Sequence, residues 1–136
     1  MNTQQKSTKA TPGTTTLIVD FSNGAQKVFT NLPCEPVQQL RPGRQGMSVI
    51  DVLDQAQAKQ PGLSYEFKSF TNRPGWEVGA LAAVDGIIAT PSKQQWQVWI
   101  NQTPVQELRR LTAESVTMFT DVRPGDVVLM KLVKAP

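Results

Sequence analysis

The residues able to do chemistry are few and widely spaced. The 136-residue chain contains no histidine and a single cysteine. Ser-His-Asp and Cys-His catalysis both need an imidazole to take the nucleophile's proton near neutral pH, so neither can be assembled. Zinc sites built from Cys and His, and iron–sulfur clusters held by four cysteines, fail on ligand count. Cys34 lies between Pro33 and Pro36 beside Glu35, whose negative charge opposes thiolate formation, so it reads as a loop or semi-buried thiol. Asp121 and Asp126 bracket a turn. Two carboxylates serve as acid and base only when they converge with separated pKa values, and a calcium loop needs further oxygen ligands that are missing here. The simpler expectation is that Asp126 accepts turn amides just before a strand. No glycine-rich phosphate loop is present. The chemistry therefore predicts a protein that is not an enzyme, with no cofactor and no metal site.

Binding is the remaining option, and the three tryptophans are its best carriers, because aromatic side chains supply large contact area at low entropic cost. Trp96, Val98 and Ile100 share one face of an expected strand, which places Trp96 in the core and Trp99 on the other face. Trp76, beside a glycine turn, Trp99, and Asn101 at the end of the same strand are the candidate ligand contacts. The partner they imply is an unknown protein or small molecule.

Charge does not change that expectation. The balance of 14 basic and 11 acidic residues gives +3. Arg41 with Arg44, and Arg109 with Arg110, lack the interleaved aromatics of base-stacking surfaces, so they read as a solvated basic edge and nucleic acid is not the expected partner. No apolar run reaches the length of a membrane span, and no basic start followed by a short apolar segment marks an intact signal peptide.

Length and a composition of 39% hydrophobic and 18% charged residues fit one globular domain. Residues 1–14 form a polar tail that buries too little to offset its ordering entropy, and residues 15–136 form the domain. Within it, Asn23-Gly24 separates two β-rich runs and predicts a two-residue hairpin turn. That register sets Asp20 against Lys27, Val19 against Val28 and Ile18 against Phe29. Residues 31–46, rich in proline, glutamine and arginine, read as a long connection. Ser48 as N-cap with Asp51 three residues on predicts a capping box, followed by Val49, Val52, Leu53 and Ala56 at helical spacing until Pro61-Gly62.

Beyond the helix, residues 63–70 alternate as a strand, residues 78–88 carry an Asp85-Gly86 turn, and residues 96–100 form the tryptophan strand. Residues 116–119 are a further short strand. The nearly continuous apolar run 127–133 reads as a central strand. Pro-Gly dipeptides at Pro12, Pro42, Pro61, Pro74 and Pro124 suit type II turns, with incidental arginines before three of them. One helix laid across a mixed or antiparallel sheet is the simplest burial for a single apolar stripe, which makes the expected fold an α+β, β-grasp-like domain.

Four segments in order resemble a known group. Gly46-Met47-Ser48-Val49-Ile50-Asp51-Val52-Leu53 looks like its helix start, and Gly79-Ala80-Leu81 with Val84-Asp85-Gly86-Ile87 like its glycine and turn segment. Trp96-Gln97-Val98-Trp99-Ile100-Asn101 is similar to its aromatic strand, and Gly125-Asp126-Val127-Val128 to its closing strand. The group is the transcobalamin C-terminal-like domain family, and the likeness spans residues 15–134. It implies a β-grasp fold, a non-enzymatic role, frequent secretion or surface attachment, and a link to corrinoid or other tetrapyrrole ligands. In vertebrate cobalamin carriers the corresponding domain covers a corrin ring held against a larger helical domain. Gln102 stands where the family has glycine, and residues 31–46 look like an insertion.

Overall fold

The computed structural model describes residues 13–34, 48–73, 76–90, 92–111 and 121–134. The expected polar tail up to residue 12, Arg41 and Arg44, and the expected strand 116–119 lie outside them. The fold is α+β. In chain order it runs β1 (Thr14–Asp20), β2 (Gln26–Pro33), α1 (Val49–Gln57), β3 (Tyr65–Arg73), β4 (Trp76–Val84), β5 (Ile87–Ile88), β6 (Gln94–Ile100), β7 (Thr103–Pro104), β8 (Leu108–Leu111) and β9 (Val127–Lys134). The strands divide over two sheets. The larger has the order β2-β1-β9-β6-β7, and the smaller has β3, β4 and β5 with β8 also paired to β4.

β9 is central in the larger sheet, parallel to β1 and antiparallel to β6. Its residues alternate: Val128, Met130 and Leu132 are buried, while Val127, Leu129, Lys131 and Val133 are only partly covered. The buried set joins Leu17, Val19, Phe21, Phe29, Trp96 and Val98 on one face. Helix α1 packs there through Val49, Ile50, Val52, Leu53 and Ala56. Its start is the expected capping box: the Asp51 amide donates to Ser48 Oγ at 3.4 Å, and the Ser48 amide donates to Asp51 Oδ2 at 2.9 Å. Trp96 meets Phe21 edge to face with centroids 5.9 Å apart, and its Nε1 donates to the Ile87 carbonyl at 3.1 Å, tying the two sheets together.

The first hairpin forms, but one residue out of the expected register. Leu17 pairs with Phe29, Ile18 with Val28, Val19 with Lys27 and Asp20 with Gln26. Ser22 (φ 63°) and Gly24 (φ 92°) take the left-handed backbone, not the Asn-Gly pair. Asp20 Oδ1 accepts the Ser22 amide at 2.8 Å and Asn23 Oδ1 accepts the Ala25 amide at 3.0 Å, which stabilises the longer loop. The physical reason is the core. Cross-strand partners share a face, so the expected register places Phe29 beside Ile18 on the outer face, whereas the observed one sets Phe29 beside Leu17 in the core. Lys27 then no longer opposes Asp20. It reaches Asp85 at 2.5 Å and the Gly62 carbonyl at 3.0 Å, linking the hairpin to the other sheet's turn.

Two further expectations shift. Residues 31–33 belong to β2 and not to a long connection, and the Cys34 amide donates to the Gly13 carbonyl at 3.0 Å. At Pro61-Gly62 the Gln60–Pro61 peptide is cis and Gly62 has no positive φ, so this is not a type II turn. The Asp85-Gly86 turn (φ 51° and 78°) and the Pro124-Gly125 turn, with Gly125 at φ 93° and the Asp126 amide on the Arg123 carbonyl at 3.0 Å, form as expected.

Candidate functional site

The larger sheet's outer face carries an ordered apolar row. Pairing aligns Val28 with Ile18, Ile18 with Leu129, Leu129 with Trp99 and Trp99 with Pro104, a single file of apolar side chains across all five strands. Val28 is 55% exposed and Pro104 is exposed, while Ile18, Leu129 and Trp99 are half-buried. The neighbouring file is polar: Gln26, Asp20, Lys131 and Gln97 stand opposite one another across β2, β1, β9 and β6. Lys131 Nζ lies 4.0 Å from Asp20 Oδ2. At the hairpin end this file opens into a shallow cleft of about 480 Å³ lined by Asp20, Ser22, Gly24, Gln26 and Lys131. Aliphatic and aromatic side chains in a flat row, edged by amides and one ion pair, can hold a flat apolar surface and orient it by hydrogen bonds along one side.

Of the candidate contacts, Trp99 stands in this row and Asn101 does not. Asn101 (φ 49°) is built into a turn. Its Nδ2 donates to Asp126 Oδ1 at 2.7 Å, its Oδ1 accepts the Val127 amide at 2.9 Å, and its own amide donates to the Val127 carbonyl at 2.9 Å. The Trp76 backbone pairs with Arg73 and Leu111 in the smaller sheet, away from Trp99, and its side chain lies outside the described residues. No family model, curated protein or solved structure matches the chain.

The groups weighed for catalysis are held by structural partners. Cys34 is 1% exposed, its thiol faces the Val122 carbonyl, and burial followed by the nearby Asp126 charge pushes its pKa up to about 11. Asp126 Oδ2 accepts the Arg123 amide at 2.9 Å, the turn role expected of it. Asp121 pairs with Arg109 at 3.2 Å; burial raises its pKa, and Arg109 opposes that shift. Arg109 also lies 3.8 Å from Glu107, and the Arg110 guanidinium stacks 4.8 Å from the Phe67 ring centre, so this basic pair packs against its own fold. Among the described residues no cluster of three His, Cys, Asp or Glu could hold a metal ion, and no helix is long and apolar enough to cross a membrane.

Residues Ile18, Val28 and Leu129 were not legible as contacts in the sequence. The run 127–133 reads as nearly continuously apolar and the expected hairpin register sets Val28 against Val19, so that these residues form one row with Trp99 depends on the observed β1–β2, β1–β9 and β6–β9 pairings.

Proposed function

We propose that this protein is a non-catalytic binding module of β-grasp type that presents the outer face of its larger sheet to a partner. The row Val28–Ile18–Leu129–Trp99–Pro104 carries this reading. An apolar file left partly open to water costs solvation free energy that a flat partner recovers on docking. The engaged states of Cys34, Asp121 and Asp126 support a role without catalysis. Two partner classes fit such a face: a flat protein surface, and a corrinoid or related tetrapyrrole, the ligand class implied by the motif resemblance.

The test is a titration of tryptophan fluorescence with cobinamide and with hydroxocobalamin, corrected for inner-filter absorption. Saturable quenching that is lost in Trp99→Ala supports the tetrapyrrole. A flat titration leaves the protein partner, which is then sought by capture with the wild-type chain and with the Trp99→Ser/Leu129→Ser variant. A partner retained equally by both chains removes this face from the proposal.

A further inference from the structure

The smaller sheet ends on β3, and among the described residues β3 pairs only with β4. Its exposed edge is regular where it matters. The β3–β4 register shifts twice, first because Ala82 is an extra residue on β4, then because Phe70 is an extra residue on β3. Residues 65–69 therefore run as an unbroken strand that ends in a bulge at Phe70, a residue 63% exposed. Phe67 packs against the core, so Glu66 and Lys68, both exposed, share the opposite face. Among the described residues neither has an ion-pair partner.

We propose that this edge pairs with the same edge of a second copy, antiparallel about a two-fold axis at Phe67, to join two small sheets into one. That pairing sets Glu66 of each copy directly opposite Lys68 of the other, twice by symmetry, with Phe67 facing its own counterpart on the inner face. An edge that avoids pairing commonly carries like charge or an isolated lysine, which antiparallel self-pairing brings face to face. Here opposite charges two residues apart make self-pairing charge-matched. A slip of two residues either way sets Glu66 against Glu66 or Lys68 against Lys68, so the charges also select the register. The bulge at Phe70 limits the ladder to residues 65–69. The other sheet's edge, β2, lacks this complementarity, because its one charged side chain, Lys27, is bound to Asp85.

Sedimentation equilibrium across a concentration series tests the proposal, with circular dichroism confirming that each variant is folded. Wild type is expected to shift from 15.0 kDa toward twice that mass at high micromolar concentration. Glu66→Lys and Lys68→Glu each turn both attractive pairs repulsive and weaken association about tenfold or more. The double exchange Glu66→Lys/Lys68→Glu restores it, and an equimolar mixture of the two single variants associates with each other while neither self-associates. A wild type that stays monomeric throughout overturns the proposal. So does a dimer indifferent to the single reversals, or one that the double exchange fails to restore.

Discussion

Asn101 bonds Asp126 side chain to side chain at 2.7 Å, clasping the turn after β6 to the residue just before β9. Through this contact, and through the Val127 amide on Asn101 Oδ1, two turns far apart in sequence brace the same corner of the larger sheet. Asn101→Ala removes both bonds and leaves alanine at φ 49°. The expected loss is about 2 kcal/mol in urea unfolding, of which Asn101→Gly recovers the backbone part alone. A stability equal to wild type in Asn101→Ala contradicts this bracing role.

Gly79 makes a second testable constraint. A methyl group at this position would overlap the Lys68 carbonyl oxygen and the Phe67 ring, so β3 closes onto β4 only because this position has no side chain. Gly79→Ala forces backbone apart from backbone, with an expected cost of about 3 kcal/mol. Thermal unfolding checks the magnitude. Hydrogen exchange of the β3 amides checks the place, since their protection falls before that of β1 and β9.

The Cys34 thiol sets a pH dependence with a definite sign. Its folded pKa of about 11 lies above the ordinary 9.0, so between these values the folded chain holds a proton that the unfolded chain has released. Stability contributed by this group is complete below pH 9 and falls as pH rises toward 11, by about 1.4 kcal/mol per unit at the steepest. Wild type is expected to lose more stability than Cys34→Ala over this interval in denaturant melts, and parallel losses contradict the assignment. Disulfide-exchange labelling of the folded chain at neutral pH is expected to be slow until denaturant is added.

The two tryptophans of β6 separate by solvent access. Trp96 is 6% exposed, edge to face with Phe21 and bonded to the Ile87 carbonyl, whereas Trp99 stands in the outer row. Trp96→Ala is expected to cost about 3–5 kcal/mol and Trp99→Ala less than half of that. Acrylamide quenching of single-tryptophan variants is expected to reach Trp99 and spare Trp96.

Local chemistry was legible in the residues themselves. The Ser48–Asp51 capping box, the apolar stripe of α1, the Asp85-Gly86 turn and the alternation along β6 all rest on contacts within a few residues, where spacing and backbone preference suffice. The central position of β9 was readable from its nearly continuous apolar run, although only Val128, Met130 and Leu132 are buried and the other face stays partly open. Tertiary structure decided the rest. The hairpin register was fixed by the need to bury Phe29 beside Leu17, a demand of the whole core that outweighed the turn preference of Asn23-Gly24. The bond from Asn101 to Asp126 joins residues 25 positions apart that no short-range pattern connects. The outer row and the charge-matched edge of β3 exist only once strands are ordered side by side. A sequence specifies which face each residue can take, but the neighbours on that face are set by which long-range pairings bury the core together.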